Sequence, residues 1–362
     1  MKILYLNYEF PPLGGGGSQV SLEIAKGYVN NGHDVDVVTM SYADLPNVEN
    51  IEGVKIFRVK SLRSKKEICH PWEQLSYIIS ARNFLSRHLK RVKYEINHTH
   101  FIIPTGLVSL WVKKKFNVPY IVTAHGSDVL GYNKRFALLY PLLKRPWEKI
   151  IENAKCVTAP SDFLVQKMKI LTEQGTFKTI PNGLDLTRFS SMTKENKILV
   201  VARLFPNKGI QDILDALVGI NLGEWSVDIV GDGPFLEFLE NKARANGLQG
   251  KVRFRGWIDN GSSEMKEFYG KASIFISASY FESFGLTVLE AISAGCYPLI
   301  SDIPGHRFII NDDMLFFQKG NYVDLREKLK SLIKKGPVTF TVNLDRFSWS
   351  NVMKEYISLL KP

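Results

Sequence analysis

The sequence predicts an α/β protein made of two Rossmann-like domains facing a cleft, and three observations carry that expectation. At 362 residues the chain is longer than a single core usually grows. Strand-like and helix-like stretches alternate in two separate series, the pattern of parallel sheets with crossover helices. The first strand-like run, Lys2 to Tyr8, passes through Glu9-Phe10-Pro11-Pro12-Leu13 into Gly14-Gly15-Gly16-Gly17-Ser18. A helix starts near Ser18, which gives the strand, glycine loop, helix order of doubly wound folds.

That helix runs to about Asn31, with Val20, Ile24 and Val29 among its apolar residues. Asp34 to Met40 and Gly53 to Val59 read as the next strands, and Trp72 to Lys93 as a helix. Its second half mixes a basic face with an apolar one, so it either packs on the sheet or touches a membrane. Strands near Glu95 to His100, Tyr120 to Ala124, Cys156 to Ala159 and Phe177 to Ile180 follow, separated by helical stretches. Phe101 to Val112 contains Pro104 and Gly106 and is too short to cross a bilayer.

Pro181-Asn182-Gly183-Leu184-Asp185 is a turn cluster and Ser190 to Asn196 is polar; together they predict an interdomain hinge. The second series has strands at Ile198 to Ala202, Ser226 to Val230, Val252 to Gly256, Ala272 to Ser277 and Tyr297 to Ser301. Helices are expected near 209–219, 234–246, 263–270 and 284–294.

Composition narrows the class. Hydrophobic residues at 45% and charged residues at 23% are ordinary for a globular protein. The three cysteines, Cys69, Cys156 and Cys296, have neither disulfide nor metal-ligand spacing, which points to a reducing cytoplasm. No leader or membrane span is expected. Charge is uneven: residues 1–190 hold 26 Lys+Arg against 16 Asp+Glu, net +10, and residues 191–362 hold 21 against 20, net +1. The basic half suits anionic lipid, polyanion or nucleic acid.

The stretch Ser279 to Pro298, S-Y-F-E-S-F-G-L-T-V-L-E-A-I-S-A-G-C-Y-P, carries the densest chemistry. A strand feeds a turn and then a helix with Leu286, Leu289 and Ile292 at helical steps; Ser283 is the expected N-cap and Gly295 the C′ stop. Glu282 lies just outside the helix and Glu290 inside it, about 12 Å apart by helical rise, too far for a glycosidase pair. They are either two ends of a clamp around an anion at the helix N-terminus or two solvated carboxylates. Arg203 and Lys208, across a strand-to-helix turn, either reach one phosphate or are surface charge. Gly231, in Gly231-Asp232-Gly233-Pro234, either admits a ligand or is an ordinary connection. Gly15, Gly16 and Gly17 either bring backbone to a phosphate or form a flexible loop. His125, in Thr123-Ala124-His125-Gly126-Ser127-Asp128, ends a strand where an imidazole can meet a sugar hydroxyl, or it is structural, as His33, His98 and His100 are expected to be. Asp34-Val35-Asp36 is expected to be the entry to a strand rather than a metal site.

Taken together, the glycine loop, His125, Pro181-Asn182-Gly183-Leu184-Asp185, Arg203 with Lys208, Glu282 with Glu290 and the terminal Phe347-Ser348-Trp349-Ser350 resemble the retaining nucleotide-sugar glycosyltransferases of the GT-B fold, family four. The resemblance spans essentially the whole chain. It implies an N-terminal acceptor-binding domain at 1–188, a nucleotide-sugar-binding domain at 189–346, and a last helix at 347–362 that crosses back to the first domain. It implies that Glu290 binds the donor ribose, and that Glu282 and the amides near Phe284, Gly285 and Leu286 hold the transferred sugar. Arg203 and Lys208 would stabilise the departing diphosphate, His125 would contact the sugar near its anomeric carbon, and the glycine loop would approach the phosphates. UDP or GDP would enter as part of the donor substrate, with no metal and no separate cofactor. Two departures lie beside the donor site: Ser283 where glycine is frequent, and Pro298 one position late after Gly295-Cys296-Tyr297.

The expected reaction moves a sugar to a glycan or lipid-linked acceptor, in cell-surface polysaccharide or glycolipid synthesis. The expected location is the cytoplasm, at the inner face of the membrane, with Arg82, Arg87, Lys90, Arg91 and Lys113-Lys114-Lys115 meeting anionic lipid. An epimerase or phosphorylase of the same fold would reuse the donor site. A nucleic-acid-binding module would use the pI near 9.3, but no nucleic-acid motif is present and nucleic acid is not an expected partner.

Overall fold

The computed structural model describes residues 1–66, 68–132 and 140–361. It divides into two compact units, one comprising Met1–Gly183 with the chain from Trp349 onward, the other Leu184–Ser348.

The first unit contains β1 (Lys2–Leu6), α1 (Gly16–Asn30), β2 (Asp34–Met40), β3 (Val48–Ile51), β4 (Val54–Val59), α2 (Pro71–His88), β5 (Ile96–His100), α3 (Thr105–Phe116), β6 (Tyr120–Thr123), α4 (Tyr140–Asn153), β7 (Cys156–Ala159), α5 (Asp162–Leu171) and β8 (Phe177–Thr179). Among the described residues the sheet order is β3-β4-β2-β1-β5-β6-β7-β8. Every pairing is parallel except β3 with β4. β5, β6 and β7 are buried at every position, as strands covered on both faces by helices must be. The order reverses direction between β1 and β5. Ligands of open α/β sheets bind outside strand C-termini at such a switch point.

The second unit contains β9 (Glu195–Val201), α6 (Ile210–Leu217), β10 (Ser226–Val230), α7 (Leu236–Ala245), β11 (Val252–Gly256), α8 (Ser263–Lys271), β12 (Ala272–Ser277), α9 (Leu286–Ser293), β13 (Tyr297–Ser301), α10 (Pro304–Ile309), β14 (Phe316–Phe317) and α11 (Tyr322–Lys335). Its parallel sheet runs β11-β10-β9-β12-β13-β14, with the reversal between β9 and β12. The last helix, α12 (Trp349–Ser358), belongs to the first unit and packs on α1. A Cβ on Gly27 would lie 2.5 Å from Met353 Sδ, so the methionine side chain packs directly over this glycine. Lys178 and Glu355 pair at 2.6 Å beside it. The final helix therefore returns to the N-terminal sheet, as the GT-B resemblance implies.

The chain changes unit within the Pro181–Asp185 turn cluster. Leu184 N–H donates to Phe347 O at 2.7 Å and Leu184 bridges Ser348, while a Cβ on Gly183 would overlap the Trp349 ring. Ser190 to Asn196, the other part of the expected hinge, lies within the second unit and is anchored to it. Met192 N–H donates to Gly270 O, Lys194 Nζ donates to the carbonyls of Gly270 and Ala294 at 2.9 and 2.8 Å, and Glu195 already starts β9. Lys194 sits at the C-terminal ends of both α8 and α9, where a cation opposes the helix dipoles.

Two further differences from sequence expectation have local causes. β3 lies at the edge of the sheet, and its two half-buried and two exposed side chains leave no apolar run to read. α2 stops at His88 because the chain turns to insert Tyr94, whose hydroxyl donates to the buried Asp36 carboxylate at 2.6 Å. Asp36, also 3.3 Å from Lys2 Nζ, is thereby committed to the fold, as its place in β2 suggested. α3 supplies the helical stretch expected between β5 and β6. No helix among the described residues is long and apolar enough to cross a membrane.

Candidate active site

The switch point of the second unit assembles from two loops. The loop after β9 carries Arg203 and Lys208, and the loop after β12 carries Ser279 to Gly285. They are zipped together: Tyr280 N–H donates to Asn207 O at 2.9 Å, and Gly209, at φ +68°, presses so closely on Ala278 that a Cβ would lie 2.0 Å from its carbonyl oxygen. Tyr280 receives a hydrogen bond from Gln211 at 2.9 Å and donates to Asp212 at 2.9 Å. This framework brings Lys208 Nζ into an ion pair with Glu282 Oε1, which also accepts from Ser279 Oγ at 2.9 Å. Burial raises the Glu282 pKa, but Lys208, Ser279 and the nearby His306 outweigh it and hold the carboxyl below its ordinary value. Glu282 is thus an anion fixed by a cation. Arg203 is exposed, its guanidinium 5.4 Å from the Phe205 ring centroid.

α9 begins at Leu286, and its N-cap is Gly285 at φ +103°, ψ +55°, rather than Ser283. Glycine adopts this left-handed backbone at low cost, which sets the N-cap two residues after Ser283. It lets Val288 and Leu289 N–H donate to Gly285 O. The amides of Leu286 and Thr287 lie outside the helical ladder, as the first amides of a helix do. Phe284 is core: its ring is 5.7 Å from Phe347 and 6.1 Å from Phe308, so only its backbone can face a ligand. At the other end Gly295 closes α9 as expected, with Gly295 N–H donating to Ile292 O and Cys296 N–H to Ala291 O, a Schellman pair.

Glu290 is buried in α9, accepting from Asn260 Nδ2 at 2.9 Å and from Tyr269 OH at 2.8 Å. Burial raises its pKa, partly offset by those two donors and by Arg188. Neither glutamate is a free surface carboxylate: Glu290 is buried and Glu282 half-buried. Each is held by side chains from other elements.

Gly231, at φ +132°, lies so close to Ala202 that a Cβ would fall 1.9 Å from its carbonyl oxygen, and its N–H donates to Gly256 O at 2.8 Å. Glycine is required there by the packing of neighbouring strand ends.

Sequence reasoning missed Asn260, Tyr269, Ser279 and His306. His306 is fully buried; its Nδ1–H donates to Ser301 O at 2.9 Å, which leaves Nε2 facing Ser277 Oγ at 3.3 Å. Its only early signal was Pro304-Gly305-His306 after a strand end. A Cβ on Gly305 would lie 2.4 Å from Glu282 O, so this turn buttresses the Glu282 loop.

In the first unit, α1 starts at Gly16 with Gly15 as its N-cap. His125 follows β6, and a Cβ on Gly17 would lie 3.0 Å from its Nδ1, so glycine loop and imidazole are neighbours at the C-terminal edge of the sheet. Asp128 fixes the backbone here, accepting from His125 N–H at 2.9 Å and Ile102 N–H at 2.7 Å. Burial lowers the His125 pKa to about 4, so its ring is neutral at pH 7. His98 and His100 are fully buried, as expected of structural histidines.

Two predominantly parallel sheets, each with its own switch point, and a last helix that belongs to the first unit are the elements of a GT-B architecture. The chain belongs to the glycosyltransferases of that fold: a Glycosyltransferase Family 4 model matches residues 14–188 and a Glycosyl transferases group 1 model matches 187–343. An uncharacterised glycosyltransferase of Methanocaldococcus jannaschii is 26% identical over 100% of this chain and 98% of its own. The alpha-monoglucosyldiacylglycerol synthase of Streptococcus pneumoniae is 28% identical over 62% of this chain and 56% of its own. Among solved structures, sucrose-phosphate synthase from Thermosynechococcus elongatus superposes with a TM-score of 0.86 at 20% identity, covering 99% of this chain and 98% of its own. Anabaena HepE in complex with UDP and glucose gives 0.77 at 17%, covering 99% of both.

Proposed function

We propose that this glycosyltransferase transfers a sugar from a UDP- or GDP-sugar, with retention of anomeric configuration and without a metal, to a glycan or lipid-linked acceptor. The observation that carries the reading is the convergence of Lys208, Glu282 and the N-terminus of α9 at one switch point, with Arg203 on the same loop as Lys208. Fixed positive charge and unpaired amides stabilise a leaving diphosphate as negative charge develops on it. Glu290 takes the donor ribose, Glu282 and the amides following Gly285 take the transferred sugar, and His125 with Gly15, Gly16 and Gly17 of the first unit contacts sugar and phosphate. The acceptor oxygen bonds the anomeric carbon from the face the diphosphate leaves. The acceptor proton passes to the departing phosphate oxygen as the glycosidic C–O bond to it breaks. Similar proteins support the two sides separately: the HepE structure is a complex with UDP and glucose, and the pneumococcal protein is an alpha-monoglucosyldiacylglycerol synthase. Product linkage by NMR, from an α-linked donor in the presence of EDTA, should be α; a β-linked product overturns retention, and loss of turnover with EDTA overturns metal independence.

The acceptor side of the reading rests on α2. Glu73, Tyr77, Ala81 and Leu85 are its buried face, while Trp72, Leu75 and Ile79 are 61%, 57% and 54% exposed on the opposite one. Arg82 and Lys115 both approach the Trp111 ring, at 5.1 and 5.6 Å, and Arg87, Lys90 and Arg91 are exposed just beyond. An apolar stripe flanked by cations suits an anionic bilayer surface. Co-sedimentation with vesicles containing phosphatidylglycerol is expected, several-fold weaker with neutral vesicles or after Arg87→Glu with Arg91→Glu. Equal binding to both vesicle types would rule this out.

A further inference from the structure

The polar groups behind His125 form a directed chain whose proton positions can be worked out from one end. Tyr5 OH lies 2.7 Å from Ser21 O. A carbonyl oxygen only accepts, so the phenolic proton is committed to it. Tyr5 oxygen is then an acceptor for its other close partner, His100 Nε2. His100 Nε2 must therefore carry a proton. Burial, with His98 and His125 nearby, lowers the His100 pKa well below its ordinary value, so the ring is neutral and its Nδ1 is bare. That Nδ1 lies 2.9 Å from His125 Nε2, which must supply the proton between them. Neutral His125 then has no proton left for Nδ1. This nitrogen is the one facing Gly17, and it has no hydrogen-bond partner among the described residues.

The elements explain why the chain exists. Tyr5 is on β1, His100 ends β5 and His125 follows β6, three consecutive strands of the sheet. The rings of Tyr5 and His100 are 4.8 Å apart and those of His100 and His125 5.1 Å, so packing holds the donors and acceptors in register. His98 stands outside this chain, donating or accepting with Tyr28 and Thr123 instead.

We propose that Tyr5 and His100 are positioning residues that lock His125 as the Nε2–H tautomer and present its Nδ1 beside the glycine loop as an obligate acceptor, selecting a sugar that offers a hydroxyl donor there. This rests on the reading that His125 contacts the transferred sugar. A site built to accept a hydroxyl proton rejects the corresponding deoxy sugar, which leaves the acceptor unpaired.

The test reads the tautomer directly. In protein labelled with 15N at histidine, His125 Nδ1 should resonate in the pyridine-type range and Nε2 in the pyrrole-type range at pH 7.5. Tyr5→Phe and His100→Leu should each move His125 Nδ1 toward the pyrrole-type range. They should lower kcat about tenfold, the worth of one hydrogen bond, with the donor KM within about twofold. His100→Asn should keep wild-type nitrogen shifts and most of kcat, since its Oδ1 can occupy the place of the imidazole Nδ1 and accept from His125. A pyrrole-type Nδ1 in the wild-type protein overturns the proposal without any variant. So does an unchanged spectrum and kcat in folded Tyr5→Phe and His100→Leu. If His125→Ala retains full kcat while the wild-type nitrogens are as expected, the sugar contact fails and the tautomer lock stands.

Discussion

Replacing Lys208 by Met should lower kcat for sugar transfer by about 10²- to 10³-fold, the usual cost of removing one fixed electrostatic donor from a transition state. Met preserves most of the length and apolar volume of the lysine stem, so the loop after β9 should stay packed. Two losses combine. The cation is gone from the switch point, and Glu282 loses the partner that holds its carboxyl below the ordinary value against burial. Burial then favours a protonated Glu282, and the anion that ordered this corner is neutralised. Glu290→Ala should behave differently. Its carboxylate is held by Asn260 and Tyr269 within α9 and its neighbours, away from the Lys208 pair, so the main effect should be a higher KM for the donor and weaker nucleotide binding. Steady-state kinetics of the two variants separate the roles. A Lys208→Met enzyme with a wild-type kcat, or a Glu290→Ala enzyme that loses only kcat, would refute the assignment.

Acidification should loosen the first unit before the carboxylates titrate. Burial lowers the His98 pKa to about 3 and that of His100 well below its ordinary value, so both rings are neutral in the folded chain. In the unfolded chain each binds a proton near pH 6.5. Below that pH the unfolded state therefore holds more protons, and stability falls as pH falls. Above about pH 7 the neutral rings cost nothing. One unit below the unfolded pKa each contributes a loss of about 1.4 kcal/mol, so the pair should remove about 3 kcal/mol at pH 5.5. Hydrogen exchange in β5 and β6, corrected for the intrinsic pH dependence, should show this loss between pH 7.5 and 5.5. Equal opening free energies at the two values would contradict it.

Much of the fold could be read from the chain because the central strands of both sheets are parallel and buried. Runs such as Asp34 to Met40, Ser226 to Val230 and Ala272 to Ser277 concentrate β-branched or apolar residues between turn signals, and their boundaries match the strands observed. β3 could not be read, since an edge strand with alternating exposure carries little apolar signal. The site divides in the same way. Glu282, Glu290, Arg203 and Lys208 sit near strand ends or helix starts, places a sequence reveals. What a sequence does not reveal is partnership. Lys208 and Glu282 are 74 residues apart and meet only because β9 and β12 are neighbours in the sheet. Tyr269 reaches Glu290 from α8, and the tie from His100 to His125 depends on β5 lying beside β6. His100, set aside as structural, is buried as expected, but its hydrogen bonding gives that burial a direction.

The close pairing of Leu184 with Phe347 and Ser348, beside Gly183 against Trp349, means that the second unit is threaded into the first with its two ends touching. In genetic terms, codons 184–348 form a cassette. Exchanging that cassette for the equivalent segment of a relative with another donor preference would leave the flanking chain ends already adjacent, and joining residue 183 to 349 through a short linker would preserve the first sheet and its returning helix as one continuous polypeptide.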